Sequence, residues 1–358
     1  MSTKKVRLGV IGAGVWAMTS HLPVLMRRPS DVEFVGVCRK GSAEVAAAAK
    51  EFGFSVASED YRDVLAAGVD ACIVASPANL HYEHARAALE AGCHVLLEKP
   101  MTISSSDAWD LVELARSVNR HLVISFGWNY LATYVTAREL LDTYGIGEVT
   151  GMSVHMDSGI RELLLGESLS STGNADDHAD TATWTTKSIS GGGYAQAALP
   201  HALGVALGLA GVRAEEVSAF GAGGGDSGIE LYDALAVRFA GGAVGTVSGM
   251  AHHAGAALRH ELEIRIFGTS GQIHLDYYRD HLRMWNASGL DIEPVLPEGA
   301  GVYDCDGPPN VLIDLALGRD VTNHSPGELG AATVELIEAA YHSMNSGLPS
   351  PVTPGRPH

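Results

Sequence analysis

The first third of the chain alternates short, unbroken apolar runs with segments of helical period. Val6–Ile11 is an apolar run ending at Gly12, which suits a strand buried on both faces of a parallel sheet. A helical pattern follows from about Val15 to Arg27, and Glu33–Cys38 reads as a second strand. Ala43–Phe52 is Ala-rich and helical, with Gly53 placed to close it. Ala71–Ala75, His94–Leu97 and Leu122–Phe126 are further strands, separated by helices at His81–Ala91 and Asp107–Val118. This alternation predicts an α/β domain with a doubly wound parallel sheet over 1–126.

After Gly127 the texture changes. Val149–His155, Val217–Phe220, Ala234–Phe239, Ala243–Ala251, Leu262–Phe267 and Gln272–Leu275 read as strands separated by turn signals such as Gly241-Gly242 and Thr269-Ser270-Gly271. They predict an α+β domain over 127–345 with a large, mostly antiparallel sheet. Tyr194–Val212 reads as one buried helix, too short and too interrupted by Gln196, Pro200 and His201 to span a membrane. A late helix covers about Gly327–Met344, and the Pro-rich tail, 346–358, is expected as extended coil. Glu162–Ser190 has no clear period and is expected to be a functional lid or a mobile loop.

Charge narrows the class of partner. The chain has 358 residues with 24 Lys and Arg against 42 Asp and Glu, a formal net charge of −18. Nucleic acid and anionic membrane surfaces need a basic face, so neither is expected as the partner. The four cysteines, Cys38, Cys72, Cys93 and Cys305, form no CxxC pair, which argues against a disulfide framework or zinc ribbon. With no apolar leader before the first strand, a reducing cytoplasmic home is expected.

The chemistry-bearing residues cluster at predicted strand ends. Gly12-Ala13-Gly14-Val15-Trp16-Ala17 lies between a strand and a helix, the context a dinucleotide fingerprint requires. Gly12 allows the tight turn, Gly14 lets the backbone approach a pyrophosphate, and Ala17 takes the place of the third glycine. At the end of the second strand an NAD site usually carries Asp or Glu; here Cys38 is followed by Arg39-Lys40. A guanidinium pairs with a 2′-phosphate, so NADP is the expected cofactor, with NAD as the alternative. Ser76-Pro77-Ala78-Asn79-Leu80-His81 and Glu98-Lys99-Pro100 fall at the carboxyl ends of later strands, where ligands bind in open α/β sheets.

Taken in order, these segments resemble the glucose–fructose oxidoreductase / inositol dehydrogenase / MocA (Gfo/Idh/MocA) family over nearly the whole chain. Phe126-Gly127-Trp128-Asn129 resembles that family's crossover into the second domain, and Gly191-Gly192-Gly193 through His201 resembles its Gly-Gly-Gly…Asp…His segment. The resemblance implies an oxidoreductase that moves a hydride between a nicotinamide cofactor and a hydroxyl or ketone of a sugar, sugar derivative or cyclitol. It implies Lys99 and His201 beside the reacting carbon, with Glu98 and Lys99 near the nicotinamide ribose. It also implies Asn129 at the cofactor and a homodimer or homotetramer built on the sheet. Relatives extend the range to NAD-assisted glycoside elimination and to a dinucleotide-sensing regulator without turnover. A Lys or His tuned near the working pH independently suits alcohol oxidation, because a proton must leave with the hydride.

One departure matters. The family's Asp four residues before the His is Ala197 here. On a continuous helix that Asp would stand one turn below His201 and orient it. Tyr194, Gln196, Trp128, Asp157 and the Asp176–Asp180 loop are candidate substitutes or substrate binders. Trp184 could stack on a sugar or pack in the core. His252-His253, His260 and His178 lack metal-ligand spacing, and no metal is expected.

Overall fold

The computed structural model describes residues 5–167, 181–224, 228–254 and 260–353. The chain forms two compact units, 1–125 with 305–331, and 126–304 with 332–358.

In the first unit, six strands form one parallel sheet: β1 (Val6–Ile11), β2 (Val32–Cys38), β3 (Val56–Ser58), β4 (Ala71–Val74), β5 (His94–Leu97) and β6 (Leu122–Ile124). Their order is β3-β2-β1-β4-β5-β6. The winding reverses between β1 and β4, so the carboxyl ends of these two strands border the crevice where open α/β sheets take ligands. Burial on both faces explains the unbroken apolar runs: Leu8, Val10, Ile73 and Leu96 are completely enclosed.

The contiguous second domain expected over 127–345 is corrected by the segment 305–331, which belongs to the first unit. Its helix Gly307–Ala316 inserts Leu312 and Ile313 into the core that holds Val10, Ile73, Leu96 and Val123. Ser325 then runs beside β6, where its carbonyl accepts the Ile124 N–H at 2.8 Å and its hydroxyl donates to the Ile124 carbonyl at 2.6 Å. Arg28 clasps the same segment through Asp314 at 2.5 Å and the Asn310 carbonyl at 2.9 Å.

The second unit is built on nine strands. They are β7 (Val149–Ser158), β8 (Ala214–Ala222), β9 (Tyr232–Phe239), β10 (Val244–Ala251), β11 (Glu261–Gly268), β12 (Gly271–Asp276), β13 (His281–Asn286), β14 (Asp291–Ile292) and β15 (Ser350–Pro351). The order is β14-β13-β12-β11-β7-β10-β9-β8-β15. Neighbours pair antiparallel except β7 and β10, which run parallel. Period-two alternation divides the faces: Asp233, Leu235, Val237 and Phe239 are buried, whereas Tyr232, Ala234, Ala236 and Arg238 are exposed.

The expected single helix from Tyr194 to Val212 is two helices, Tyr194–Ala197 and Leu199–Ala210, broken at Ala198. Pro200 in the first turn of the second helix fits this restart, since it has no N–H to donate there. The tail is not all coil: Ser350 and Pro351 pair with β8. Helices Ala132–Tyr144 and Gly307–Ala316 and strands β3, β13 and β14 were not expected from the pattern. Among the described residues no helix is long and apolar enough to cross a membrane.

Because Leu312 is fully enclosed in the first unit, Leu312→Ala is expected to cost about 2–5 kcal/mol. Urea unfolding monitored by circular dichroism checks this; a change below about 0.5 kcal/mol, the range of a surface substitution, would contradict the placement of 305–331.

Candidate dinucleotide and acid–base site

The turn after β1 is tied to the end of β2. Gly12 and Ala13 donate their N–H groups to the Cys38 carbonyl at 2.9 and 3.0 Å. Gly12 has φ +89°, and a Cβ there would lie 2.3 Å from the Ser76 nitrogen, so only glycine fits. Gly14 differs: a Cβ would meet nothing within 4 Å. The space it leaves open is the approach a pyrophosphate needs, and the helical segment starting at Val15 presents its N-terminal turn to it. That segment includes one wide turn, Ala17–His21, with Ala17 fully buried. The cradle therefore fits a dinucleotide.

At the end of β2, Cys38 is buried, and burial together with the charges of Asp60, Asp63 and Glu59 pushes its thiol up to about 11. It is inert packing rather than a reactive thiol. Arg39 and Lys40 follow, and neither side chain has a hydrogen-bond or ion-pair partner among the described residues.

The loops after β4 and β5 are clipped together by His81. Its Nδ1 is 2.8 Å from the Pro100 carbonyl and its Nε2 is 2.7 Å from the Ser76 carbonyl. Burial lowers the His81 pKa against the pull of these carbonyls and the Glu98 charge. His81 is thus engaged on both sides by backbone. The Ser76 hydroxyl pairs with His84 Nδ1 at 2.9 Å. Pro77 precedes the short turn Ala78–Leu80, on which Asn79 is partly exposed.

Glu98 organises the end of β5. Its Oε1 accepts the Trp16 indole N–H at 3.0 Å and lies 2.7 Å from His21 Nε2. Its Oε2 accepts the Lys99 backbone N–H at 3.1 Å. Burial pushes the Glu98 pKa up, but the His21 hydrogen bond, the charges of His21 and Lys99 and the Ser125 hydroxyl outweigh it, and the net shift is downward. Lys99 is shifted down, chiefly by desolvation, with Glu98 and Cys305 opposing. His21, Glu98 and Cys305 bring their ligand atoms within 4.8 Å of one another. Glu98 thus takes four donors, from Trp16, His21, the Lys99 backbone and Ser125.

The second unit holds His201 on the helix Leu199–Ala210, buried, with its ring 5.2 Å from Tyr303 and 6.2 Å from Phe126. The break at Ala198 separates Ala197 from this helix, so the expected one-turn relation between positions 197 and 201 does not apply. Asn129 is completely buried and donates to the Gly204 carbonyl at 3.1 Å, which fixes the same helix.

The candidate substrate binders are placed otherwise than expected. Tyr194 is fully enclosed and bonds the Met156 carbonyl at 3.0 Å and Ser158 Oγ at 2.9 Å, the pattern of a core pillar. Trp128 is 1% exposed between Tyr277, Tyr303 and His260, which leaves no face for a sugar. Asp157 lies 3.3 Å from His155 on the outward face of β7, opposite Met152, Val154 and Met156. Gln196 is buried. Trp184 lies half-buried on the short helix Ala182–Thr185. His253 pairs with Glu162 at 2.8 Å. Asp176–Asp180 and His178 lie outside the described residues. His21 against Glu98, and Tyr303 and Tyr277 against Trp128, are contacts that the sequence pattern does not signal.

Two buried acids stand beneath the Gly-Gly-Gly segment. Glu230 accepts the N–H of Gly193 at 2.9 Å and the Tyr341 hydroxyl at 2.6 Å. Neither oxygen of Asp233 has a hydrogen-bond partner among the described residues, and burial, with Glu230 nearby, pushes its pKa up to about 8. A groove lined by Asp70, His94, Arg120 and Arg319 lies at the amino ends of β4 and β5, away from this chemistry.

Fold and strand-end geometry together define a Rossmann-type dinucleotide-binding protein with an appended open sheet. Residues 6–126 match the description "Oxidoreductase family, NAD-binding Rossmann fold", and 134–274 match "GFO/IDH/MocA C-terminal domain". The chain belongs to the Gfo/Idh/MocA family. It is 33% identical over 150 residues to D-glucoside 3-dehydrogenase of Escherichia coli strain K12, covering 42% of each chain. It is 35% identical over 153 residues to dTDP-3,4-didehydro-2,6-dideoxy-alpha-D-glucose 3-reductase of Streptomyces antibioticus, covering 43% of this chain and 46% of that one. The matched stretch thus spans under half the length of these curated relatives. A solved levoglucosan dehydrogenase in complex with NADH and levoglucosan has the same fold, with TM-score 0.77, 21% identity, and coverage of 98% of this chain and 100% of that one.

The two glycines of the turn should respond differently to a methyl group. Gly12→Ala should lower thermal stability and abolish NADH fluorescence enhancement, whereas Gly14→Ala should leave the melting temperature unchanged and weaken binding alone. Equal melting temperatures for both variants would contradict the close approach at Ser76. Asp233 is an acid whose folded pKa, about 8, is raised above its unfolded value near 3.8. It therefore costs nothing while protonated, and destabilises progressively as pH rises from about 4 to 8. Asp233→Asn should gain stability relative to wild type at pH 8 and lose that advantage at pH 4; parallel pH–stability curves would refute this.

Proposed function

We propose that the protein is an NAD(P)-dependent oxidoreductase acting on a secondary hydroxyl or ketone of a sugar, sugar derivative or cyclitol. The observation that carries this reading is Lys99, half-buried at the carboxyl end of β5, with its backbone held on Glu98 and Glu98 bonded in turn to Trp16 of the glycine turn. When bound, the dinucleotide supplies or accepts the hydride. Gly12, Ala13, Gly14, Val15 and Trp16 would hold its pyrophosphate side, and Ser76, Pro77 and Asn79 would line the crevice.

Lys99 is assigned the proton. As a neutral amine it takes the hydroxyl proton when an alcohol is oxidised; as an ammonium it returns one to the alkoxide formed in the reverse direction. Desolvation moves it toward the pH range where both forms exist. His201 is assigned as a second catalytic group, and its ring is framed by Tyr303 and Phe126. Asn129 and His81 are read as positioning residues, since both are buried and bonded to backbone. The names of the relatives, a glucoside dehydrogenase and a deoxysugar reductase, support a carbohydrate-like substrate.

Arg39 and Lys40, without partners of their own among the described residues, support NADP over NAD through a 2′-phosphate. The outward face of the nine-stranded sheet carries small residues at Ala234, Ala236, Ser153 and Thr246, which supports its use between copies in a homodimer or homotetramer. Four buried free cysteines support a reducing, cytoplasmic location.

The test is cofactor absorbance with a pooled panel of sugars, glycosides and inositols, run with NADP⁺ and NAD⁺ in parallel. The expected result is reduced-cofactor formation, faster with NADP⁺, that falls by at least about 100-fold in Lys99→Ala, the lower range for a positioned acid–base group. Turnover unchanged in Lys99→Ala would remove its role, and a preference for NAD⁺ would overturn the cofactor choice.

A further inference from the structure

One buried side chain beside Glu98 has no part in that chemistry. His21 is completely enclosed, and its Nε2 lies 2.7 Å from Glu98 Oε1. It stands on the wide helical turn Ala17–His21, which follows directly from the glycine turn. A carboxylate taken out of water needs donors to stay ionised. Glu98 has four: the Trp16 indole, the Lys99 backbone N–H, His21 and the Ser125 hydroxyl. The His21 contact, at 2.7 Å, is shorter than those of the indole and the backbone N–H, at 3.0 and 3.1 Å, and it is the largest of the influences that hold Glu98 ionised against burial.

The groups facing this site come from four segments. His21 comes from the helical segment after the glycine turn and Lys99 from the loop after β5; Cys305 precedes the helix Gly307–Ala316, and His81 heads the helix His81–Glu90. Of these, Glu98 and Cys305 act on Lys99, and both favour its ammonium.

We propose that His21 is a positioning residue: it keeps Glu98 ionised and in place, and through Glu98 it sets the charge state of Lys99. This rests on the reading of Lys99 as the acid–base group. The sign follows from electrostatics. Without the His21 donor, the buried Glu98 takes up a proton more readily. A neutral Glu98 no longer favours the ammonium, so Lys99 loses its proton at lower pH. The same carboxylate holds the Trp16 indole, so the arrangement also links the glycine turn to the Lys99 backbone through one shared group.

The experiment reads Lys99 directly and needs neither cofactor nor substrate. The full-length protein is pulse-labelled with acetic anhydride over a pH series, and acetylation of the Lys99 peptide is followed by mass spectrometry. In His21→Leu the midpoint is expected to fall by about half a pH unit or more, which is roughly a threefold gain in reactive amine below the midpoint. His21→Gln, whose amide N–H can still donate to Glu98, is expected to titrate like wild type. Glu98→Gln should shift the midpoint in the same direction as His21→Leu. If the Leu variant does not fold, His21→Asn, too short to reach Glu98, takes its place. An unshifted midpoint in the folded variant, or a Gln variant that behaves like Leu, overturns the proposal. Activity of Lys99→Ala separates the two readings: an inactive Lys99→Ala with an unshifted Lys99 titration defeats only this proposal, and an active Lys99→Ala with a shifted titration defeats only the acid–base role.

Discussion

The first unit depends on keeping one carboxylate charged inside the protein. Glu98 is buried at the carboxyl end of β5, where an unpaired negative charge would cost several kcal/mol. The neighbourhood is arranged around that cost. Trp16 reaches it from the glycine turn, His21 from the following helical segment, and Lys99 from the next residue. The first two donors come from the segment that starts at the glycine turn, the third from the loop after β5. The carboxylate thus ties the glycine turn to the start of that loop.

The parallel sheet makes that arrangement possible. Because the winding reverses between the neighbours β1 and β4, the turn after β1 and the loops after β4 and β5 all open on one edge. Gly12 then packs against Ser76 more closely than any side chain would allow, and His81 joins the Ser76 loop to Pro100. Behind this edge, the segment 305–331 completes the core with Leu312 and Ile313 and brings Cys305 beside Ser125 at 3.5 Å.

What could be read from the chain follows the range of the interactions involved. The glycine turn, the parallel strands and the strand-end Lys99 depend on local period and on residues close in sequence, and all were legible. His21 was not: in an apolar helical stretch it looks like a packed core residue, and its partner lies 77 residues away. The side on which Asp157 stands has a signal in the chain. Met152, Val154 and Met156 alternate toward the core, so position 157 has the opposite parity and faces outward. For Tyr194 no such signal exists, because its hydroxyl is satisfied by Met156 and Ser158 on a strand nearly forty residues earlier. The return of 305–331 to the first unit is likewise a tertiary fact, decided by which core has room for Leu312.

The substitution at Ala197 takes a different meaning once the break at Ala198 is known. With the helix restarting at Leu199, a carboxylate at 197 would not sit one regular turn below His201. The imidazole is instead framed by Tyr303 and Phe126. Gly204 lets Phe126 come close, since a Cβ there would lie 2.7 Å from the ring, and Asn129 anchors the same turn through the Gly204 carbonyl. Placement of His201 therefore rests on shape and on a buried amide, not on a neighbouring charge at 197. The surroundings differ between the units: in the first, Glu98 accepts the Lys99 backbone N–H, and in the second, the His201 ring lies between aromatic side chains. Charged and polar contacts gather around Glu98 at the end of β5, whereas position 197 holds only an apolar methyl side chain.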